Sequence, residues 1–209
     1  MIGIDTVPCG GKMLGRSKWW GFPDLPEDLD WPTMPVNDDG EVYDDPLTFV
    51  CQIRCEELAP FDPEGLLPHE GMLYFFAALD YFLGDLDGIC PGMGGWEPQY
   101  FRVLYSTDCE NLHQHTLCYE DRSEALLPAE EIHLSAVHKG DDCYTRFLGY
   151  PFFDEVSGEL PGMISLLQID ENDEWGLRFF DSGMLNFMIT PQDLAARRFD
   201  AVKAWLHSA

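Results

Sequence analysis

The chain is 209 residues long, 45% hydrophobic and 13% aromatic, and its 12 basic and 38 acidic residues give a formal net charge of −26. That apolar content is ample for a packed core and excludes a disordered acidic tail, while so negative a charge excludes nucleic acid and anionic membrane as expected partners. One domain over residues 1–209 is expected, because two cores cut from this length would each be small.

The opening Met1-Ile-Gly-Ile-Asp5 carries neither a basic stretch nor an apolar run, and no apolar stretch reaches membrane-spanning length. Seven cysteines at irregular spacing with no CxxC read as reduced thiols. A cytoplasmic location follows as the expectation.

Residues 8–46 are rich in Gly, Pro and Asp, and five prolines between Pro23 and Pro46 argue against long regular elements there. Trp19, Trp20, Phe22, Leu25 and Trp31 supply apolar anchors. Gly10-Gly-Lys-Met-Leu-Gly-Arg-Ser-Lys18 lacks the residue order of a phosphate-binding loop. Lys12, Arg16 and Lys18 form a basic island, after which eighteen acids and a single base, Arg54, precede Arg102. Asp38, Asp39, Asp44 and Asp45 lie in that acidic half and are candidates for a contact face.

Strands are expected at Leu47 to Ile53, Met72 to Ala78, Tyr100 to Ser106, Ile132 to His138, Met163 to Ile169 and Met184 to Thr190. Short helices are expected at Cys55 to Ala59 and Ser123 to Leu127, and residues 80–99 read as a long loop. The final segment, Pro191 to His207, predicts an amphipathic helix capped by Thr190, with Ala195, Phe199, Val202 and Leu206 at helical spacing. The expected class is α+β, a mostly antiparallel sheet of two weakly repeated halves plus that C-terminal helix.

The repeat rests on Leu47-Thr-Phe-Val-Cys-Gln-Ile53 with Gly71-Met-Leu73 against Ile164-Ser-Leu-Leu-Gln-Ile169 with Gly183-Met-Leu185. The pseudo-repeats cover residues 47–78 and 164–190. Gln52 and Gln168 each sit within an apolar strand, where an amide without partners costs about 1–3 kcal/mol, so each is expected to have a defined partner or to line a pocket. Arg54 and Asp170 follow two positions later on the same strand faces and are expected to pair.

Cys109, His113, His115 and Cys118 are zinc-type ligands at a spacing that matches no familiar module. Asp85-Leu-Asp-Gly88 and Asp170-Glu-Asn-Asp-Glu174 lack the complete calcium-loop pattern. Neither metal nor cofactor is expected, and no nucleophile elbow or HExxH run is present.

Gly21-Phe-Pro-Asp-Leu-Pro26, Trp31-Pro32, Pro46-Leu-Thr-Phe-Val-Cys-Gln-Ile53, Leu67-Pro-His-Glu-Gly-Met-Leu-Tyr-Phe-Phe76, Leu148-Gly-Tyr-Pro151 and Leu166-Leu-Gln-Ile-Asp170 occur in an order that resembles the YwqG-like family of bacterial cytoplasmic proteins. The resemblance implies a mixed α+β fold and no particular reaction, cofactor or catalytic residue. Where the family shows paired glycines this chain has Trp20-Gly21, so Trp20 would narrow any pocket there.

Two functions compete. One is a non-enzymatic binding protein whose acidic scaffold masks a basic protein partner, most concretely an immunity protein against a basic toxin. The other is a small-molecule-binding or hydrolytic enzyme with a pocket of Trp19, Trp20, Trp31 and dispersed carboxylates. Candidate binding residues are Lys18, Trp20, Trp31, Gln52, Arg54, Gln168, Asp170 and the four aspartates Asp38, Asp39, Asp44 and Asp45. Oligomeric state has no signature.

Overall fold

The computed structural model describes residues 1–11, 13–38, 40–117, 127–138 and 140–209, with Asp38 described in its backbone only. In chain order the elements are β1 (Ile2–Pro8), β2 (Lys18–Trp19), β3 (Asp24–Pro26), β4 (Thr33–Asp38), β5 (Glu41–Pro46), β6 (Thr48–Arg54), α1 (Cys55–Leu58), β7 (Met72–Ala77), β8 (Gly94–Gly95) and β9 (Phe101–Ser106). There follow β10 (Leu112–Gln114), β11 (Glu130–Ala136), β12 (Arg146–Gly149), α2 (Asp154–Glu159), β13 (Ile164–Asp170), β14 (Gly183–Ile189), α3 (Pro191–Ala195) and β15 (Lys203–Ser208). The six apolar runs expected as strands all form strands.

The expected α+β class is overturned. Eleven strands make one curled antiparallel sheet in the order β8-β15-β14-β13-β12-β1-β11-β2-β6-β7-β9, and the helices are single turns. The long C-terminal helix is absent: α3 ends at Ala195, Arg197 takes a left-handed backbone (φ 58°), and the chain leaves as β15. Thr190 does cap α3, accepting from the Asp193 amide. Beyond it, Ala204, Leu206 and Ser208 are buried in alternation, the period of a strand, and β15 completes the ladder of β14 from Gly183↔Ser208 to Met188↔Lys203. The apolar spacing fits both periods, and a partner for β14 decides it, since a sheet edge leaves a row of backbone groups without bonds. The helix expected at Ser123 to Leu127 lies, apart from Leu127, outside the described residues.

The sheet reads the same outward from its middle. There β1 and β11 pair with Ile2 opposite Ala136 and Pro8 opposite Glu130. On one side follow β12, β13, β14 and β15; on the other β2, β6, β7 and β9. Lys18 stands opposite Gln52 as Arg146 stands opposite Gln168, and Gln52 faces Tyr74 as Gln168 faces Asn186. Even the irregularity recurs, between Phe49 and Cys51 and between Ser165 and Leu167.

All six residues of β7 are buried, so both of its faces are covered. Leu73, Phe75 and Ala77 enter the interior of the curl, while Met72, Tyr74 and Phe76 pack under Leu25, Met34 and Val36 of β3 and β4. In the other half Met188 on the outer face of β14 is covered by Val156 and Leu160 from α2 and its C-terminal end. The curl brings the halves into contact at Phe75, whose ring lies 5.8 Å from Phe147 and 5.3 Å from Phe187. Phe75→Ala is expected to cost about 3–5 kcal/mol in urea unfolding; a loss below about 1 kcal/mol would show that the two halves do not depend on this contact.

Candidate functional site

Each glutamine closes a clasp on a nine-residue segment that precedes its strand. The Gln52 Oε1 accepts from the Asp24 amide (2.8 Å) and its Nε2 donates to the Arg16 carbonyl (2.8 Å). The Gln168 Oε1 accepts from the Phe152 amide (2.7 Å) and its Nε2 donates to the Tyr144 carbonyl (2.6 Å). A hydroxyl completes each: Ser17 accepts from the Arg54 amide, and Thr145 from the Asp170 amide. Both segments contain a bulky residue with left-handed backbone followed by a glycine, Trp20-Gly21 (φ 55° and 71°) and Leu148-Gly149 (φ 54° and 140°). A Cβ on either glycine would lie 2.6 Å from a neighbouring side-chain carbon, of Ala129 or Met1 respectively. This kink turns the segment back toward its glutamine.

The two clasps differ in charge. In the first, Lys18 Nζ lies 2.9 Å from Asp24 Oδ2, and the side chains are 1% and 0% exposed. The same oxygen accepts from Gln52 Nε2 (2.7 Å) and from the Gly15 amide (2.9 Å), while Tyr74 Oη donates to the Asp24 carbonyl (2.8 Å). Burial pulls the Lys18 ammonium below its ordinary pKa, and Asp24 opposes that fall. This ion pair is closed to solvent.

In the second clasp Arg146 stands where Lys18 stands, and Phe152 occupies the place of Asp24. No carboxylate among the described residues lies within 4.0 Å of the Arg146 guanidinium. It donates instead to the carbonyls of Cys143 (3.1 Å) and Tyr150 (3.3 Å), and burial lowers its pKa. It faces a cleft of about 740 Å³ lined also by Met1, Asp141, Asp142, Tyr144, Tyr150, Phe152, Asp154 and Ser157. Tyr150 is 75% exposed and Phe152 48%. Such a volume suits a small molecule, and an arginine among aromatic rings and carboxylates can orient one.

A smaller cleft of about 280 Å³ is bordered by Leu67, His69, Glu70 and Arg197. His69 Nε2 lies 3.2 Å from Asp62 Oδ2, which also accepts from the Leu67 amide. The Asp62 carboxylate therefore shapes the turn as well as holding the imidazole.

Of the residues singled out in the sequence, Lys18, Gln52 and Gln168 lie in the clasps. Trp20 is buried against Trp19 and Trp175, with ring centroids 6.1 and 5.4 Å away, and Trp31 donates its indole N–H to the Leu47 carbonyl. Trp19, Trp20 and Trp31 line neither cleft. Arg54 pairs with Glu56 (3.0 Å), not with Asp170. The reason is positional: Arg54 and Asp170 occupy matching places on β6 and β13, five strand spacings apart in the sheet. Burial raises the Asp170 pKa. Asp44 is exposed and Asp45 half-buried on β5, Asp38 ends β4, and Asp39 lies outside the described residues. His113 lies 3.8 Å from Glu27, Cys118 lies outside the described residues, and no three metal-ligating side chains cluster among those described.

Sequence reasoning missed Asp24, Arg146, Tyr144 and Phe152. The available signal was the pair of short runs Trp20-Gly-Phe-Pro23 and Leu148-Gly-Tyr-Pro151, which place Asp24 and Phe152 at matching positions.

A family model described as "Domain of unknown function (DUF1963)" matches residues 17–207. A search among curated proteins found no match.

Gln52→Ala is expected to destabilise more than Gln168→Ala, because it strands three partners, one of them a buried carboxylate, where the second strands two. Leaving buried groups without bonds costs about 1–3 kcal/mol each before relaxation. Urea unfolding of both variants checks the order, and a larger loss for Gln168→Ala contradicts it.

Proposed function

Since the chain belongs to the DUF1963 family, which carries no assigned chemistry, we propose that it is a non-enzymatic binding protein whose acidic N-terminal half recruits a basic protein partner in the bacterial cytoplasm. The YwqG-like motifs agree with that setting. An immunity protein masking a basic toxin is the most concrete form of the reading.

The observation that carries it is the β4–β5 hairpin. Among the described residues β5 pairs only with β4, so its other edge presents free backbone groups. Along that strand Glu41, Val42, Tyr43 and Asp44 are all exposed, Val42 by 68% and Tyr43 by 49%. An edge strand carrying carboxylates beside apolar side chains can accept a further strand, the backbone supplying affinity and the charges selecting a basic sequence. Burial and the neighbouring carboxylates of Asp80 and Asp85 raise the pKa of Asp45 at the end of this strand, so a cation placed there relieves repulsion as well as gaining an ion pair.

Partner capture on the immobilised protein, followed by binding kinetics, tests this. Steering by such a face raises association rates about 10- to 1,000-fold at low salt. Association is expected to slow steeply with salt while dissociation changes less, and neutralising Asp38, Asp39, Asp44 and Asp45 together is expected to reduce that salt dependence. A basic partner favours the ionised Asp45, so binding weakens as pH falls through its raised pKa toward the ordinary value of 3.8. Failure to retain a basic partner, or retention of one whose association rate ignores salt, contradicts the proposal.

A further inference from the structure

The clasps pose one question of charge and answer it differently. Lys18 has its counter-ion built in, at Asp24. Arg146 occupies the matching position with Phe152 where the carboxylate would be, and it opens onto a cleft. Its two carbonyl bonds use two of the five N–H donors of a guanidinium. A half-buried arginine in this setting is matched by a planar carboxylate, which can accept from it at two points.

The rest of the cleft narrows the ligand. Asp141, Asp142 and Asp154 face the same space, and the chain as a whole carries −26, so a simple anion such as phosphate meets repulsion at the site and at long range. A simple cation would satisfy the aspartates but be repelled by Arg146. Part of the aspartate capacity is already used: Asp141 accepts from the His138 amide and Asp142 from Tyr144 Oη. Among the described residues, no further hydrogen bond or ion pair engages their second oxygens or the Asp154 carboxylate. Tyr144 and Phe152 stand edge to face at 5.1 Å, and with exposed Tyr150 they offer an apolar surface beside these charges.

We infer that this cleft binds a small zwitterion of the amino-acid class, its carboxylate on Arg146 in the role Asp24 plays for Lys18, its ammonium among the aspartates and its side chain against the aromatic rings. A net-neutral ligand brings a carboxylate to Arg146 without opposing the charge of the whole protein. The inference does not depend on the β4–β5 hairpin, a separate two-stranded sheet that packs over β7 in the N-terminal half.

The test uses the full chain. Ligand-observed NMR against the twenty protein amino acids selects the strongest binder, and calorimetry then compares that amino acid with its amide, which lacks the carboxylate, and its N-acetyl form, which lacks the ammonium. Both blocked forms are expected to bind at least 10-fold more weakly. Arg146→Gln and Phe152→Asp, the latter placing an internal carboxylate beside the arginine, are each expected to weaken binding at least 10-fold with circular dichroism unchanged. The inference is overturned if no amino acid binds saturably, if the amide binds as tightly as the free acid, or if both folded variants keep the parent affinity. The comparison of free and blocked ligands on the unaltered protein decides the matter even if a variant fails to fold.

Discussion

A side-chain amide inside a β-sheet must find both a donor and acceptors, and Gln52 and Gln168 find theirs on residues 16–24 and 144–152, away from the ladders of their own strands. That requirement ties each glutamine strand to the segment before it and fixes where the kinked Trp20-Gly21 and Leu148-Gly149 turns lie. The strands β2 and β12 are held in register by the same contacts, Lys18 against Gln52 and Arg146 against Gln168. The middle of the sheet then assembles by crossing over: β1 joins β12 of the other half, and β11 joins β2. Each half supplies a strand the other lacks, so neither is complete alone.

On this common frame the halves differ on their outer faces. The N-terminal half closes its clasp with a buried ion pair and covers β7 with the β3 strand and the β4–β5 hairpin. The C-terminal half replaces the carboxylate with Phe152, covers β14 with α2, and leaves the cleft at Arg146. A buried ion pair gains little over an apolar pair in stability, but losing one member is costly. The ion pair thus locks one clasp shut, whereas an arginine whose partners among the described residues are carbonyls leaves the other chemically open.

The strands were legible because their apolar runs are long and buried on both faces, as at Met72–Ala77. Gln52 and Gln168 stood out because an amide in such a run needs partners, and the strands around them share a readable pattern. The C-terminal segment was misread because Val202 and Leu206 fit a helical stripe as well as an alternating strand, and the need of β14 for a neighbour is not a local property. Arg54 and Asp170 were joined on the basis of charge, although matching positions in two halves keep them apart. The Arg146 cleft was hidden for the opposite reason. Its residues are spread over turns, β12 and α2 with no common periodicity, and only the match of Phe152 to Asp24 shows that, among the described residues, Arg146 lacks the carboxylate that Lys18 has.

On this reading the charge at the first clasp is structural and the charge at the second is available for binding. The most direct measurement is urea unfolding of Asp24→Asn and Arg146→Gln side by side at neutral pH. Asp24→Asn is expected to cost about 3–5 kcal/mol, because it leaves Lys18 buried without its partner, while Arg146→Gln is expected to stay within about 1.5 kcal/mol of the parent. Equal losses in the two variants, or a larger loss at Arg146, would contradict the division of roles.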